Sequence, residues 1–300
     1  MKIKSLIIAG PTASGKSDFA HKLARQINGA VINCDSVQIY RDIETISASP
    51  FADMPKGKFD EIDGVPYRLF SVLPLNEHLS VADYLHLATD ALNEVIKMGK
   101  TPIFVGGSGY YINVLLHGIS PIPEISEENR NKARDMVKNC PDAVLQLLPE
   151  DFVKTDPQRT SRALEVFLET GTPLSEWQKI PRRGALIPDA YKILVNPNRE
   201  LLLQRIAARV PQMFQGAALE EAKYIVQNKL EENRAIGAQQ LCKMLRGEIT
   251  QQQAIENWIT KTNQYAKRQR TWFRTQFVPD CEISHVPTDK DMEVLLKKLA

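Results

Sequence analysis

Short apolar runs alternate with amphipathic stretches over the first third of the chain. Residues 4–9 form an apolar run that predicts a buried strand, and the stretch beginning at Lys16 has helical periodicity. Residues 30–34 predict a second strand, residues 80–98 a second helix, and residues 101–107 a third strand. Because strands that alternate with helices form parallel sheets, the pattern predicts an α/β fold with a parallel sheet flanked by helices.

The pattern changes near residue 120. Only helical signals occur over residues 120–185, whereas residues 190–197 predict a strand that returns to the sheet. Residues 198–275 again have helical periodicity. We therefore predict two parts, an α/β core with C-terminal helices made of residues 1–119 and 186–300, and a helical insertion domain over residues 120–185.

Composition narrows the class of protein. The 300 residues are 43% hydrophobic and 25% charged, which is typical of a soluble globular protein. Apolar stretches such as residues 6–9 are far shorter than the roughly 20 residues that cross a bilayer, and no cleavage site follows the N-terminus. We expect a cytoplasmic protein without a membrane segment. The four cysteines contain no CxxC pair, which argues against a disulfide framework or a zinc site.

A glycine-rich loop follows the first strand. The sequence GPTASGKS fits G-x-x-x-x-G-K-[ST] in the strand–loop–helix context that this motif requires. Its backbone N–H groups can surround a phosphate, Lys16 can supply a cation, and Ser17 can ligate Mg²⁺. The predicted phosphate-binding residues are Gly10, Pro11, Thr12, Ala13, Ser14, Gly15, Lys16 and Ser17.

An acidic residue, Asp35, follows the second strand, while the third strand ends in FVGGSG without a carboxylate. Because ligands bind outside the carboxyl ends of strands in open α/β sheets, Asp35 is expected to face the same crevice as the glycine loop. Two functional roles remain open at this point: a partner of Mg²⁺, or a general base for an incoming nucleophile. A helix cap at Asp35 or Ser36 is the structural alternative.

Two segments carry clustered basic residues. Residues 261–274, KTNQYAKRQRTWFR, interleave five basic residues with three aromatic ones, a pattern suited to phosphates and stacked bases. The alternative is a solvated helix whose aromatic residues pack inward. Arg159 and Arg162, spaced i, i+3, form a polar fork with Gln158 that suits phosphate or base-edge contacts. The alternative there is a pair of exposed arginines on an amphipathic helix.

Seven blocks, in order and spacing, resemble the tRNA dimethylallyltransferases: GPTASGKS, DSVQIYRDI, TPIFVGGSGYYINVLLHGISPIP, DPQRTSRALEVFLETGTPLSEWQ, RELLLQRIAARV, RAIGAQQL and QYAKRQRTWFR. The resemblance runs from about residue 5 to about residue 278. It implies a P-loop NTPase-like core in which the loop grips the diphosphate of dimethylallyl diphosphate with Mg²⁺. It further implies a monomer that prenylates N6 of the adenine 3′-adjacent to the anticodon, position 37 of the tRNA.

The resemblance also implies roles for individual residues. Asp35 would be the general base on the adenine N6, Arg209 would reach the diphosphate, and Lys16 and Ser17 would act with them, Ser17 as the Mg²⁺ ligand. The implied contacts to the anticodon arm of tRNA are Asp35, Ser36, Val37, Gln38, Ser108, Arg130, Gln158, Arg159, Thr160, Ser161 and Arg162.

The chain departs from the family pattern at several places, among them ETISASP in place of G-T-A-K-P and a shorter insertion before DPQR. Tyr67 and Arg68 stand where many members have paired histidines, and Ala238 and Gln239 replace the usual Tyr and Arg. Three other functions stay open: an adenylate isopentenyltransferase acting on a free nucleotide, a P-loop small-molecule kinase, and a non-catalytic RNA-binding module. The basic segments favour tRNA over a mononucleotide, and the third strand's lack of an acid weighs against a kinase.

Overall fold

The structure, a computed structural model, describes residues 5–54, 57, 60–149, 152, 156–231 and 235–299. The strands are β1 (Leu6–Ala9), β2 (Gly29–Asn33), β3 (Glu61–Ile62), β4 (Val65–Arg68), β5 (Thr101–Gly106), β6 (Tyr191–Val195) and β7 (Cys281–Ile283). They form one sheet in the order β3-β4-β2-β5-β1-β6-β7. Every neighbouring pair is parallel except β3 and β4, which are antiparallel. The predicted α/β fold with a parallel sheet is confirmed.

Helices surround this sheet or form the insertion. They are α1 (Lys16–Gln26), α2 (Val81–Lys97), α3 (Gly109–His117), α4 (Glu127–Asn139), α5 (Pro141–Leu147), α6 (Pro157–Thr170), α7 (Leu174–Lys179), α8 (Arg199–Gln215), α9 (Ala218–Gln227), α10 (Ala238–Leu245), α11 (Gln251–Gln276) and α12 (Asp289–Leu299). None of the described helices combines the length and the apolar character that crossing a membrane requires.

The central strands are apolar on both faces because helices cover both faces of the sheet. Every residue of β1 and β2 is buried, and β1 pairs with β5 in a register that places Leu6 beside Ile103. Leu6 and Ile103 belong to a buried hydrophobic cluster, and helix α1 contributes Phe19 and Leu23 to it. This cluster packs the first helix against the sheet. The carboxyl ends of four adjacent strands, β2, β5, β1 and β6, therefore meet at one edge of the sheet.

The chain divides into two compact units, Met1–Leu116 with Leu186–Ala300, and His117–Ala185. We refer to them as the core unit and the insertion unit. The insertion unit has its own small hydrophobic cluster, in which Ala133 and Val144 pack with Leu148, Ala163 and Leu164. Its described residues include four helices, α4 to α7, and a single isolated bridge between Ile119 and Arg183. The sequence placed the corresponding boundaries at residues 120 and 185.

Candidate active site

The glycine-rich loop connects β1 to α1 in a conformation that most residues resist. Ala13 and Gly15 have positive φ values of 64° and 92°. A side chain at Gly10 would overlap the carbonyl oxygen of Val195, so the loop approaches β6 more closely than a Cβ allows. The hydroxyl of Ser14 is buried and has no hydrogen-bond partner among the described residues. A buried hydroxyl without a partner costs free energy, and a bound oxyanion would supply one.

Helix α8 brings two arginines to this loop, four residues apart and thus on one helix face. Arg205 donates from Nε to the carbonyl oxygen of Ala13 at 2.8 Å, and Arg209 donates from Nη2 to Oγ1 of Thr12 at 2.8 Å. The Nε of Arg209 is buried without a partner among the described residues. Burial, followed by the neighbouring Arg205, lowers the pKa of Arg209 to about 10, so it stays charged at neutral pH.

Lys16 connects this cationic group to the acid predicted to share the crevice. Its Nζ donates to the carbonyl oxygen of Pro11 at 3.3 Å. Burial is the main cause that lowers the pKa of Lys16, Asp35 opposes the shift, and Arg209 adds to it. The ammonium group therefore lies within electrostatic reach of both Asp35 and Arg209. An anion bound in the loop would offset the desolvation of these cations.

Asp35 follows β2 and is held by short hydrogen bonds. Oδ1 of Asn33 accepts the N–H of Asp35 at 2.8 Å, while Nδ2 of Asn33 donates to the carbonyl oxygens of Leu69, at 2.9 Å, and of Asp35, at 3.0 Å. Oδ1 of Asp35 accepts the N–H of Val37 at 3.0 Å. The carboxylate thus caps its own turn and lies at the same sheet edge as the glycine loop. The capping role and the general-base role use the two oxygens of one carboxylate and are compatible.

Ser108, from the loop after β5, joins the Asp35 turn. Its Oγ accepts the N–H of Ser36 at 2.9 Å and donates to the Ser36 hydroxyl at 3.1 Å. Tyr265 of α11 reaches the same place. Burial and the Asp35 carboxylate raise the pKa of Tyr265, and hydrogen bonds with Ser108 and Gln269 offset part of the rise. The phenol therefore stays protonated, and the structure brings Asp35, Ser36 and Ser108 together.

Gln38, predicted to lie near a target base, uses its amide within its own loop. Its Nε2 donates to the carbonyl oxygens of Ser47 and Ala48 at 3.2 and 2.9 Å. Ala48 has a positive φ of 52°, so this hydrogen bond holds a backbone conformation that alanine rarely adopts. Val37 is half-buried beside it. The side-chain oxygen of Gln38 remains as an acceptor.

No sequence pattern pointed to a role for Gln269, yet this residue connects two loops of the site. It is buried on α11, and its Oε1 accepts the N–H of Thr12 at 2.8 Å. Its Nε2 donates to the carbonyl oxygen of Gly107 at 2.9 Å. The available signal was its spacing, because Thr262, Ala266, Gln269 and Phe273 form the buried stripe of α11. A glutamine on an apolar stripe needs internal partners.

The basic segment predicted at residues 261–274 combines features of both interpretations. Phe273 is buried, and Trp272 packs so closely on Gly109 that no side chain would fit there. Lys267 and Arg268 are exposed, and the guanidinium of Arg268 lies 5.7 Å from the centre of the Tyr265 ring. Phe273 and Trp272 therefore pack against the core unit, while Lys267 and Arg268 remain available on its surface; Arg270 is half-buried and donates to Asn196.

The remaining predicted tRNA contacts lie in the insertion unit. Helix α6 begins after its Asp156 cap, and Gln158 is exposed. Thr160 and Ser161 are buried, and Thr160 donates its hydroxyl to the carbonyl oxygen of Asp156 at 3.0 Å. Further members are Arg159, 3.4 Å from the Asp156 carboxylate, Arg162, 3.2 Å from Glu165, and the half-buried Arg130 of α4. Their contact with tRNA stays a prediction.

Comparison with known proteins gives the chain a family. Residues 38–276 match the model of the family described as IPP transferase, and residues 3–58 match one described as isopentenyl transferase. A Rickettsia felis protein named tRNA dimethylallyltransferase is 34% identical over 307 aligned positions, which cover 98% of this chain and 97% of the relative. The chain belongs to the IPP transferase family. The resemblance stated from the sequence is confirmed.

Solved structures extend the similarity of this IPP transferase family member to the fold. The full-length tRNA isopentenylpyrophosphate transferase of Bacillus halodurans is 29% identical with a TM-score of 0.68, and the match covers 99% of this chain and 97% of that one. A eukaryotic dimethylallyltransferase, described as acting on tRNA, is 28% identical with a TM-score of 0.71, covering 90% of this chain and 70% of that one.

The structure shows the surroundings of three residues at which this chain departs from the family pattern. Tyr67, on β4, shares a hydrogen bond with Nδ1 of His21 at 3.0 Å, and Arg68 pairs with Glu94 at 2.7 Å. These contacts fasten β4 to α1 and α2. Ala238 is buried at the start of α10. The residues at these three positions thus contribute to contacts between elements of the core unit and lie outside the glycine-rich loop.

Proposed function

We propose that the protein transfers a dimethylallyl group from dimethylallyl diphosphate to N6 of the adenine 3′-adjacent to the anticodon, position 37 of the tRNA, and releases diphosphate. One observation carries the proposal: a cation-rich loop and a carboxylate lie at the same edge of the sheet. Lys16 and Arg209 contact the glycine-rich loop that follows β1, and Asp35 follows β2. The family named above is the second support, because its named members are tRNA dimethylallyltransferases.

The leaving group is the first chemical problem. Departure of diphosphate from an allylic carbon increases negative charge on the bridging oxygen. In this proposal Lys16, Arg209 and N–H groups of the glycine loop stabilise that charge, except for the Thr12 N–H, which donates to Gln269. The Ser14 hydroxyl and the Arg209 Nε, which have no partner among the residues that the structure describes, are further donors for diphosphate oxygens. Preorganised donors of this type lower the barrier because no reorganisation is needed as the charge develops.

The nucleophile is the second problem. An exocyclic adenine amine is a weak nucleophile because its lone pair is delocalised into the ring. As the C–N bond forms, N6 must lose a proton, and the Asp35 carboxylate accepts it as general base. The bond from Val37 N–H to Asp35 Oδ1 fixes the orientation of the carboxylate, and the Ser36–Ser108 pair fixes the turn that carries it.

The polar groups of the loop fit Mg²⁺ with a diphosphate. Mg²⁺ commonly binds through one or two protein oxygens together with substrate phosphates. Among the residues that the structure describes, no group of three or more His, Cys, Asp or Glu side chains could form a metal site on its own. The Ser17 hydroxyl would hold Mg²⁺ with the diphosphate oxygens, and the metal would neutralise charge on the leaving group.

Exposed charge favours tRNA over a free nucleotide. Lys267 and Arg268 on α11 provide surface cations that could meet phosphates of an anticodon arm, whereas a mononucleotide offers them little to bind. An anticodon-loop base is already partly unstacked, so extruding it costs about a few kcal/mol. A small-molecule kinase is less well supported, because β5 leads into Gly107 and Ser108 rather than a carboxylate.

We also propose that the protein is a monomer. Light scattering of the purified protein would test this proposal.

A prenyl-transfer assay tests the proposal. Purified protein is incubated with labelled dimethylallyl diphosphate and Mg²⁺, together with total tRNA, with AMP or with ATP alone. We expect label in the tRNA fraction only. Label confined to AMP would assign the protein to the free-nucleotide class. Hydrolysis or transfer of the ATP γ-phosphate without prenyl transfer would assign it to the kinases, and tRNA binding without any transfer to RNA-binding modules.

A further inference from the structure

Gln269 links the two halves of the proposed site through backbone atoms. Its two hydrogen bonds, of 2.8 Å from Thr12 N–H and 2.9 Å to Gly107 O, join loops that follow two adjacent strands, β1 and β5. The side chain is only 5% exposed. Both of its polar atoms are therefore used internally, and neither is left for solvent.

Each of the two residues bonded to Gln269 is connected in turn to a group proposed to take part in the reaction. Thr12 also accepts from Arg209, so the Thr12 end belongs to the cradle for the diphosphate. Gly107 precedes Ser108, which binds the backbone and hydroxyl of Ser36, the residue next to Asp35. An uninterrupted path of hydrogen bonds and single peptide units thus runs from the leaving-group site to the general base.

The fit around Gln269 is tight. A Cβ on Gly107 would overlap the Gln269 amide, so the glycine lets α11 approach the loop. One turn earlier on the helix, Tyr265 lies close enough to Ser108 for that side chain to lower its pKa, and one turn later Trp272 fills the space over Gly109. Three successive turns of α11 therefore contact the loop after β5, and only Gln269 among them also binds the glycine-rich loop.

We infer that Gln269 is a positioning residue that fixes the separation between the diphosphate cradle and the Asp35 turn. This inference rests on the proposed function. Holding two reactants in reacting geometry contributes a large part of many rate enhancements, and a misplacement of about 1 Å can lower turnover about 10²-fold. Gln269 contacts neither reacting group directly, so its effect is on geometry.

Two substitutions of Gln269 separate positioning from simple packing. Gln269→Leu keeps a similar volume and removes both hydrogen bonds. We expect kcat per folded molecule to fall about 10²-fold, with a smaller change in KM for dimethylallyl diphosphate. Gln252→Leu is the matched control, because Gln252 lies exposed in the first turn of the same helix and donates to Glu256, one turn away on the helix. A purely structural role would lower the melting temperature and leave kcat per folded molecule unchanged.

Gln269→Glu gives a readout that packing cannot mimic. An ionised carboxylate accepts from Thr12 N–H but repels the Gly107 carbonyl oxygen, whereas a protonated one donates to it as the amide does. Burial raises the pKa of such a glutamate. The ratio of kcat/KM in Gln269→Glu to that in the wild type should therefore rise as pH falls from about 8 to about 6.

The outcomes separate this inference from the proposed function. A slowed Gln269→Leu enzyme and an acid-restored Gln269→Glu ratio support the positioning role. Wild-type turnover in Gln269→Leu, or a ratio that does not change with pH, overturns it and leaves the proposed function intact. If Gln269→Leu fails to fold, the pH ratio of Gln269→Glu decides alone. A wild-type protein that transfers no prenyl group to tRNA overturns the proposed function, and the inference falls with it.

Discussion

The surroundings of the glycine-rich loop in the core unit and helix α6 of the insertion unit both carry cationic side chains, but these differ in burial and in their partners. Around the loop, Ser14 and Arg209 have buried polar atoms that find no partner in the described part of the chain, and Lys16 is desolvated. On α6, Arg159 and Arg162 already pair with acids three residues away. Buried donors without a partner among the described residues form a prepared anion site in this account. The exposed Arg159–Asp156 pair contributes little and can exchange its acid for a phosphate, whereas Arg162 pairs with the buried Glu165.

Loss of the general base should have the largest effect. Asp35→Ala should lower kcat by about 10²- to 10⁴-fold, because the proton of N6 has no acceptor in the transition state, while tRNA affinity is retained. Single-turnover rates and tRNA binding measured on the same preparation give the two quantities. Asp18→Asn, which removes an exposed acid of α1, is the control. Near-normal turnover in Asp35→Ala would remove Asp35 from the mechanism.

Arg209→Met should come next. It removes a cation and the Thr12 hydrogen bond from the cradle, and we expect kcat/KM for dimethylallyl diphosphate to fall about 10²-fold, as for loss of one preorganised donor. Affinity for inorganic diphosphate with Mg²⁺, measured by calorimetry, should fall as well. Arg199→Met, at the exposed start of the same helix, should bind diphosphate as the wild type does. Equal affinities for both variants would contradict the prepared anion site.

Deprotonation of Lys16 should have a smaller effect, a fall in diphosphate affinity as pH rises. Its pKa is lower in the folded protein than in the unfolded chain, so the folded state loses this proton first as pH rises. Diphosphate binds the charged form, so binding takes a proton back up, and affinity should fall by at most about tenfold per pH unit once Lys16 deprotonates. Calorimetry at several alkaline pH values below 10, the approximate pKa of Arg209, measures the slope.

Lys16→Met supplies the control for that slope. This variant should bind inorganic diphosphate more weakly at neutral pH and should lose the part of the pH dependence that belongs to the ammonium group. An identical slope in wild type and variant would mean that another group titrates.

The arginines of α6 should give the smallest effect. Replacing Arg159 and Arg162 together by alanine should weaken tRNA binding several-fold and reduce the salt slope by about two, one for each lost phosphate contact. Binding isotherms at several salt concentrations measure this change. A matched double variant at Lys22 and Arg25, which are exposed on α1, should keep the slope. An unchanged slope in the α6 variant would leave both arginines as surface charge.

Much of the fold could be predicted because its signals are local. Apolar runs predicted β1, β2, β5 and β6, and the Ser80 cap that begins α2 has both bonds of a capping box. Short edge strands were not predicted. Strand β7 has three residues and β3 two, too few for a periodic pattern, so their pairing depends on the strands already present.

The candidate site divides in the same way. Residues of the glycine loop and Asp35 could be predicted because a motif and a strand end specify them locally. Gln269 could not, because its partners are 257 and 162 residues away in the chain. Burial of Thr160 and Ser161 could not be predicted from the contiguous resemblance, because a helix turns successive side chains toward different faces. Their contact with tRNA stays a prediction.

The most direct test uses an anticodon stem-loop with either adenine or purine, which lacks the N6 amine, at position 37. Labelled dimethylallyl diphosphate, Mg²⁺ and wild-type protein are added to each, and the label is mapped after nuclease digestion. Our account predicts label at position 37 of the adenine stem-loop, none in the purine stem-loop, and equal affinity for both. Label of equal amount in the purine stem-loop would contradict the assignment of N6 as nucleophile and of Asp35 as its base.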